Sequence, residues 1–247
     1  MNSKLPKKSE VCIGVDVIPM LKQLKVVGNV SIQDVSSALY EVLCTGHYSI
    51  KPRFMLEAST TELHFIPYIR IVNAARTKVM IYQRPSRDDG EARLDGMYSI
   101  GTGGHPDSNA LDFNDHVLNI DTSLRRAALD ELRQEIQVLT SMGSNVLLND
   151  VVASFINPIG MIYDPSDDVG LTHVAVLFEL VVPDEATFKS NSPTEVRDPH
   201  WCNIDEALNS TSAGETAIEA TYTFENWSRL WLVHSLNERV SKQVRIQ

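Results

Sequence analysis

The sequence predicts an α/β (α+β) fold: a mixed β-sheet sandwiched between helices, with extensions at both ends. Three observations carry this reading. Runs rich in Ile, Val and Tyr come in pairs, first His64–Asn73 with Lys78–Gln83 and later Asn145–Ile156 with Leu171–Val182. Helical patterns follow the pairs instead of alternating with single strands, so the order strand, strand, turn, helix, strand, strand, helix excludes repeated βαβ units. An apolar fraction of 43% against 22% charged residues provides for a sizeable core.

Taken in order, Val11–Met20 reads as a short edge strand. Ser31 resembles an N-cap, with Val35, Leu39, Val42 and Leu43 following at helical spacing. Nothing up to about Ser59 carries a chemical motif, so residues 1–60 are assigned to an N-terminal extension packing on the core. A central domain then spans 61–210 and a C-terminal helical extension 211–247. The Ala74–Thr77 segment is short enough for a hairpin. Leu94, Met97, Tyr98 and Ile100 lead into a glycine-dense turn, Gly101 to Gly104, and a polar loop carries Asp107, Asp112, Asp115 and His116. An amphipathic helix is expected over Thr122–Val138, capped by Asp121, Thr122 or Ser123, with Leu124, Ala127, Ala128, Leu132 and Ile136 inward. Residues 183–199 read as a mobile polar loop, and Trp201 precedes a short helix at Asp205–Leu208. The last helix, Phe224 to Val240, lines up Phe224, Trp227, Leu230, Trp231 and His234 as a core or partner-facing stripe.

A formal net charge of −10 argues against binding duplex nucleic acid, which needs Lys/Arg patches to displace phosphate counterions. It leaves room for a small phosphorylated ligand, because a divalent cation bridges carboxylates to phosphate oxygens; the acidity also serves solubility alone. Cys12, Cys44 and Cys202 fit neither a disulfide framework nor a zinc spacing and read as reduced, buried thiols. The stretch Val11 to Leu24 is broken by Asp16, Pro19, Lys22 and Gln23, so it is neither a secretory core nor a membrane span. A cytoplasmic protein without a membrane partner is expected; a homodimer stays open.

Glu131 and Glu135 lie four residues apart and project from one helical face, with Gln134 beside them and Asp130 at the margin. A solvated acidic surface would look the same. The Gly-Gly turn upstream alters the reading, since without a Cβ the backbone approaches a ligand closely. A glycine turn converging on an acidic helix face forms an oxygen-rich pocket for a hard cation such as Mg²⁺, which neutralises a diphosphate and activates water.

These residues resemble the Nudix (MutT-like) hydrolases, whose motif is Gly-x5-Glu-x7-Arg-Glu-U-x-Glu-Glu-x-Gly-U with U a bulky aliphatic residue. Glu131, Leu132, Glu135 and Val138 match its second half, and Gly103-Gly104-His105 is similar to the glycine pair that opens it. Met80-Ile-Tyr-Gln-Arg84 resembles the strand that ends in Arg, and Trp201-Cys-Asn-Ile-Asp-Glu-Ala-Leu208 the closing Trp-x-x-x-x-Glu-x-Leu segment. Tyr98-Ser-Ile-Gly-Thr-Gly-Gly-His105 and Asp168-Val-Gly-Leu-Thr-His173 are similar to a MutT-type subgroup described as predicted phosphoesterases. The likeness runs from about Phe65 to Leu208. The box is degenerate: Asp130 stands for its Arg, Gln134 for a Glu, Gln137 for its Gly and Thr122 for the early Glu. Gln134 keeps one oxygen but contributes no charge.

The resemblance implies metal-dependent hydrolysis of a nucleoside-diphosphate-linked or related phosphoanhydride. Mg²⁺ (or Mn²⁺) would be held by Glu131, Glu135, Gln134 and the Gly104 carbonyl, with Glu131 and Glu135 catalytic and Arg84, Gly103 and His105 on the substrate. The alternative is a catalytically impaired module of the same fold that binds a nucleotide-like ligand or a protein partner. Asp107, Asp112 or Asp115 are candidates to replace a missing carboxylate, Asp167, Asp168 or Glu179 to supply a late one, and Arg93 to meet a phosphate. His116, His173 and His234 show no partners at metal spacing.

Overall fold

A computed structural model describes residues 11–16, 47–86, 92–148, 156–168, 170–212 and 222–244. Along the chain they form β1 (Val11–Asp16), β2 (Tyr48–Pro52), α1 (Arg53–Glu57), β3 (Glu62–Asn73), β4 (Lys78–Gln83), β5 (Tyr98–Ser99), β6 (Gly101–Gly103), β7 (Phe113–Asn114) and β8 (Val117–Leu118). Then come α2 (Ile120–Glu135), β9 (Ile136–Leu139), β10 (Asn157–Ile162), β11 (His173–Val182), β12 (Thr187–Ser190), β13 (Arg197–Asn203), α3 (Ile204–Ser212) and α4 (Asn226–Val244). The α+β class read from the sequence holds. The helix expected after Ser31, its residues Val35 to Leu43, and Cys44 lie outside the described residues.

One compact unit holds the described residues among 11–16, 47–69, 103–131, 156–168 and 170–179. Its strands run in the order β10-β11-β3-β1-β2. Leu63, Phe65, Ile66 and Ile69 of β3 are all buried, as expected of a strand covered on both faces. β1 pairs antiparallel with β2 and, through Gly14↔His64 and Val15↔Leu63, with β3. Gly14 is needed there: a Cβ would stand 2.5 Å from Leu56 Cδ2, and Leu56 is fully buried over it. β10 pairs antiparallel with β11 with a register shift between Pro158 and Gly160. Of the strand expected at Asn145–Ile156, residues 149–155 lie outside the described residues. Val146–Leu148 is a 3₁₀ turn, and the partner of β11 begins at Asn157, because a bulge absorbs the proline that made this segment read as loop.

Helix α2 starts at Ile120, one step before the expected caps. Asn119 is the cap, its Oδ1 accepting the Thr122 N–H at 3.1 Å and its carbonyl accepting the Ser123 hydroxyl at 2.7 Å. Leu124, Ala127, Ala128 and Leu132 are buried along it. The helix ends at Glu135, not Val138. Asn191 accounts for the early stop: its backbone N–H donates to the Glu135 carbonyl at 2.8 Å and its Nδ2 to the Arg133 carbonyl at 2.9 Å.

The second unit holds the described residues among 70–86, 92–102, 132–148, 180–212 and 222–244. β4 pairs with β13, with β5 and, at Val72↔Val79, with the end of β3. The expected hairpin closes on Asn73, whose Oδ1 accepts the N–H groups of Thr77 and Lys78 at 2.8 and 2.7 Å. Residues 183–199 are not a plain loop: β12 pairs antiparallel with β9, and Phe188 meets Trp201 edge-on at 4.7 Å. The expected short helix is α3.

Helix α4 is capped by Glu225, whose carboxylate accepts the N–H groups of Trp227 and Ser228 at 3.0 Å each. Of the expected stripe, Phe224 and Trp231 are core, whereas Trp227, Leu230 and His234 are half-buried. Trp231 is 1% exposed, and the Arg70 guanidinium stacks 4.2 Å above its ring. Trp231→Ala is therefore expected to cost about 3–5 kcal/mol, read as a lowered urea midpoint. A loss below about 1 kcal/mol would mean that the ring is not packed this way. No described helix is long and apolar enough to cross a membrane.

Candidate functional site

The glycine turn is built for two different close approaches, both within the first unit. At Gly103 a Cβ would stand 2.7 Å from the Pro67 carbonyl oxygen and 3.4 Å from the Tyr68 Cα. Those are backbone atoms of β3 and cannot yield, so no side chain fits. At Gly104 a Cβ would stand 2.1 Å from Glu131 Oε1 and 3.0 Å from Oε2. The missing methyl group at Gly104 is the space that the Glu131 carboxylate occupies. Helix α2 supplies the carboxylate, and its buried row of Leu124, Ala127 and Ala128 fixes the face from which Glu131 projects.

One turn further along α2 the environment changes. Glu135 is 7% exposed, while Gln134 beside it is exposed. Within the second unit, Tyr82 is fully shut from water and donates its hydroxyl to the Gly101 carbonyl at 3.0 Å. Burial pushes its phenol strongly upward; the Arg84 guanidinium acts against this and the Glu135 carboxylate adds to it. Arg84 and Glu135 thus both lie within electrostatic reach of one buried phenol.

His105, directly after Gly104, corrects the sequence reading of the histidines. Its Nε2 lies 3.0 Å from His64 Nδ1 and 3.2 Å from His173 Nε2. His105 therefore has two histidine partners, and the Nδ1 of His173 also meets the Thr172 hydroxyl at 2.9 Å. The His64 and His173 rings stack at 4.5 Å. His64 is fully buried, His173 is 8% exposed and His105 is half-buried. Burial first, then the neighbouring His173, push the His64 imidazole down to about 4 from an ordinary 6.5. A hydrogen bond with the Leu56 backbone acts the other way.

A folded-state value below the unfolded one means that the unfolded chain takes up the proton first. The contribution is intact above pH 6.5 and is lost as pH falls toward 4. Chelator-treated protein should lose on the order of 3 kcal/mol across that window. Urea midpoints at pH 7 and pH 4 read this. His64→Gln should flatten the pH slope, and an unchanged slope would count against the buried neutral ring.

The other candidates have local duties. Asp107 Oδ1 accepts the N–H groups of Asn109 and Ala110, and Asp112 pairs with Arg126 at 2.8 Å. Asp115 and His116, with φ of 48° and 67°, form the two-residue turn between β7 and β8, where such values are required. Asp167 Oδ1 accepts the Gly170 N–H at 2.7 Å. Arg93 is exposed, and Glu179 is buried on β11 opposite Asn157.

No family model matches the chain, and no curated protein matches it. Solved structures do. That of Tm1382, a proposed Nudix hydrolase, superposes on 92% of this chain and 99% of its own, with a TM-score of 0.61 at 18% identity. The chain has a Nudix fold. Weaker likenesses include the Nudix domain of Shewanella oneidensis NrtR complexed with ADP ribose (TM-score 0.41, 15% identity, 71% of this chain and 87% of that one). Another is the bifunctional NMN adenylyltransferase/ADP ribose pyrophosphatase of Francisella tularensis (TM-score 0.45, 11% identity, 75% and 44%).

On this Nudix fold the residues read from the sequence fall into two sets. Gly103, Gly104, His105 and Glu131 belong to the first unit; Arg84, Gln134 and Glu135 belong to the second. The sequence reading missed His64 and His173. Metal-spacing rules compare neighbours in sequence, whereas these rings come from the starts of two distant strands. The available signal was chemical: an ionisable ring opening each of two apolar strands has to be partnered when buried.

Proposed function

We propose that the protein hydrolyses a phosphoanhydride bond in a nucleoside-diphosphate-linked or related substrate, with Mg²⁺ or Mn²⁺, in the cytosol. The observation that supports this reading is the Glu131 carboxylate lying against Gly104, in the space a Cβ would fill. Carboxylate and backbone carbonyl are hard oxygen donors of the kind these cations take, so the residues fit the ion. Glu131 and the Gly104 carbonyl would hold it. Bound there, the cation supplies charge neutralisation to the diphosphate and a more acidic water.

The remaining work falls to the chain. Glu131 accepts the proton of the attacking water. Gly103 lets the turn lie directly on the β3 backbone and so holds Gly104 in place, and His105 orients the substrate. The catalytic region in this reading is residues 61–210.

The test is turnover of a panel of nucleotide sugars, dinucleotide polyphosphates and NTPs with Mn²⁺. Release of phosphorylated product, abolished by Glu131→Gln, is expected. No turnover, or turnover indifferent to that substitution, removes the proposal. A second reading, a module that binds a nucleotide-like ligand without turning it over, is favoured by Gln134, which is exposed and uncharged where the family motif has Glu. Calorimetry showing binding without hydrolysis would select it.

A further inference from the structure

We propose that His64, His105 and His173 form a binding site for one divalent transition cation of the zinc class, with nitrogen donors and not the oxygens of the Glu131 region. Each ring offers one nitrogen, and the three nitrogens lie within 4.8 Å of one another. Ligand nitrogens about 2.0–2.1 Å from a tetrahedral zinc stand roughly 3.3 Å apart. The two contacts to His105 Nε2 are 3.0 and 3.2 Å and need to open by only a few tenths of an ångström, while the nitrogens of His64 and His173, within 4.8 Å of each other, close on the ion by a side-chain rotation. Imidazole suits Zn²⁺, Co²⁺, Ni²⁺ and Cu²⁺ and not Mg²⁺.

Hydrogen bonding alone serves these rings poorly. His105 Nε2 carries either one proton or one in-plane lone pair, yet two ring nitrogens converge on it. His64 is fully buried, so a shared and half-satisfied contact at its Nδ1 is costly. A cation that accepts three lone pairs removes the competition at His105. The second shell is partly in place: the Thr172 hydroxyl at His173 Nδ1 fixes which nitrogen of that ring faces inward. Three histidines leave a fourth position open to water or ligand, as in catalytic zinc sites, and His105, the half-buried and most accessible ring of the three, sets the side from which it is reached.

The experiment uses full-length protein stripped with a chelator and titrated with Co²⁺, followed by Zn²⁺ competition. Expected are one Co²⁺ per chain with the visible absorption of a tetrahedral nitrogen site, its displacement by Zn²⁺, and weakening of at least about 100-fold in His105→Gln and in His173→Gln. Loss of an outer-shell partner costs only about 10–100-fold, so the larger drop marks a ligand. Thermal unfolding checks that the variants fold, and His105, being half-buried, is the safer of the two. Glu131→Gln should keep the cobalt spectrum. No cobalt uptake, uptake indifferent to both histidine variants, or a spectrum lost in Glu131→Gln would each overturn the site. Failure of turnover in the hydrolysis assay leaves these readouts untouched.

Discussion

Glu131→Gln is expected to lower the Mn²⁺-dependent turnover by about 10²–10⁴-fold, the range associated with a positioned proton acceptor. Its carboxylate is the one that lies against Gly104. Glutamine is nearly isosteric and preserves that packing, so thermal stability should change by less than about 1 kcal/mol while activity collapses. The amide removes the charge and the basicity together, so both roles assigned to the residue fail at once. A parallel loss of stability and activity would instead mark Glu131 as a structural group. A variant retaining more than about a tenth of the activity would place the acceptor elsewhere.

Gly104→Ala should act on the same carboxylate without touching its chemistry. The added methyl would stand 2.1 Å from Glu131 Oε1, well inside any tolerated contact. The obstacle is the far end of a flexible side chain, not backbone, so Glu131 swings away at little cost to folding. Misplacing a catalytic group by about 1 Å is enough to lose about 10²-fold. The expected result is a drop of that size in kcat with a melting temperature close to the parent's. Gly103→Ala makes the informative contrast. There the clash is with the Pro67 carbonyl and the Tyr68 backbone, so stability should fall first. If Gly104→Ala keeps full activity, the apposition of Gly104 and Glu131 is not functional.

Particular residues show what could be read in advance. The hairpin at Asn73, the paired strands β3 and β4 and the glycine turn were legible because local chemistry and period agree there. The strand at Asn157–Ile162 was not, since Pro158 and Gly160 read as punctuation while a bulge in the ladder accommodates them. The end of α2 was misplaced because its terminal carbonyls are satisfied by Asn191, distant in sequence. In the candidate site, the sequence exposed Gly104 and Glu131 as members of one motif, yet only coordinates reveal that one fills the gap left by the other. The histidine trio was invisible for the same reason. Its members are brought together by two strands and the turn, with no spacing to betray them.

Anomalous diffraction from crystals soaked in Mn²⁺ addresses the Glu131 carboxylate most directly. A peak about 2.1 Å from a Glu131 carboxylate oxygen, absent in Glu131→Gln crystals, is the expected map. A crystal saturated with manganese that leaves Glu131 bare, or that shows the metal only among the three histidines, would contradict the assignment of that carboxylate to a hard-cation site.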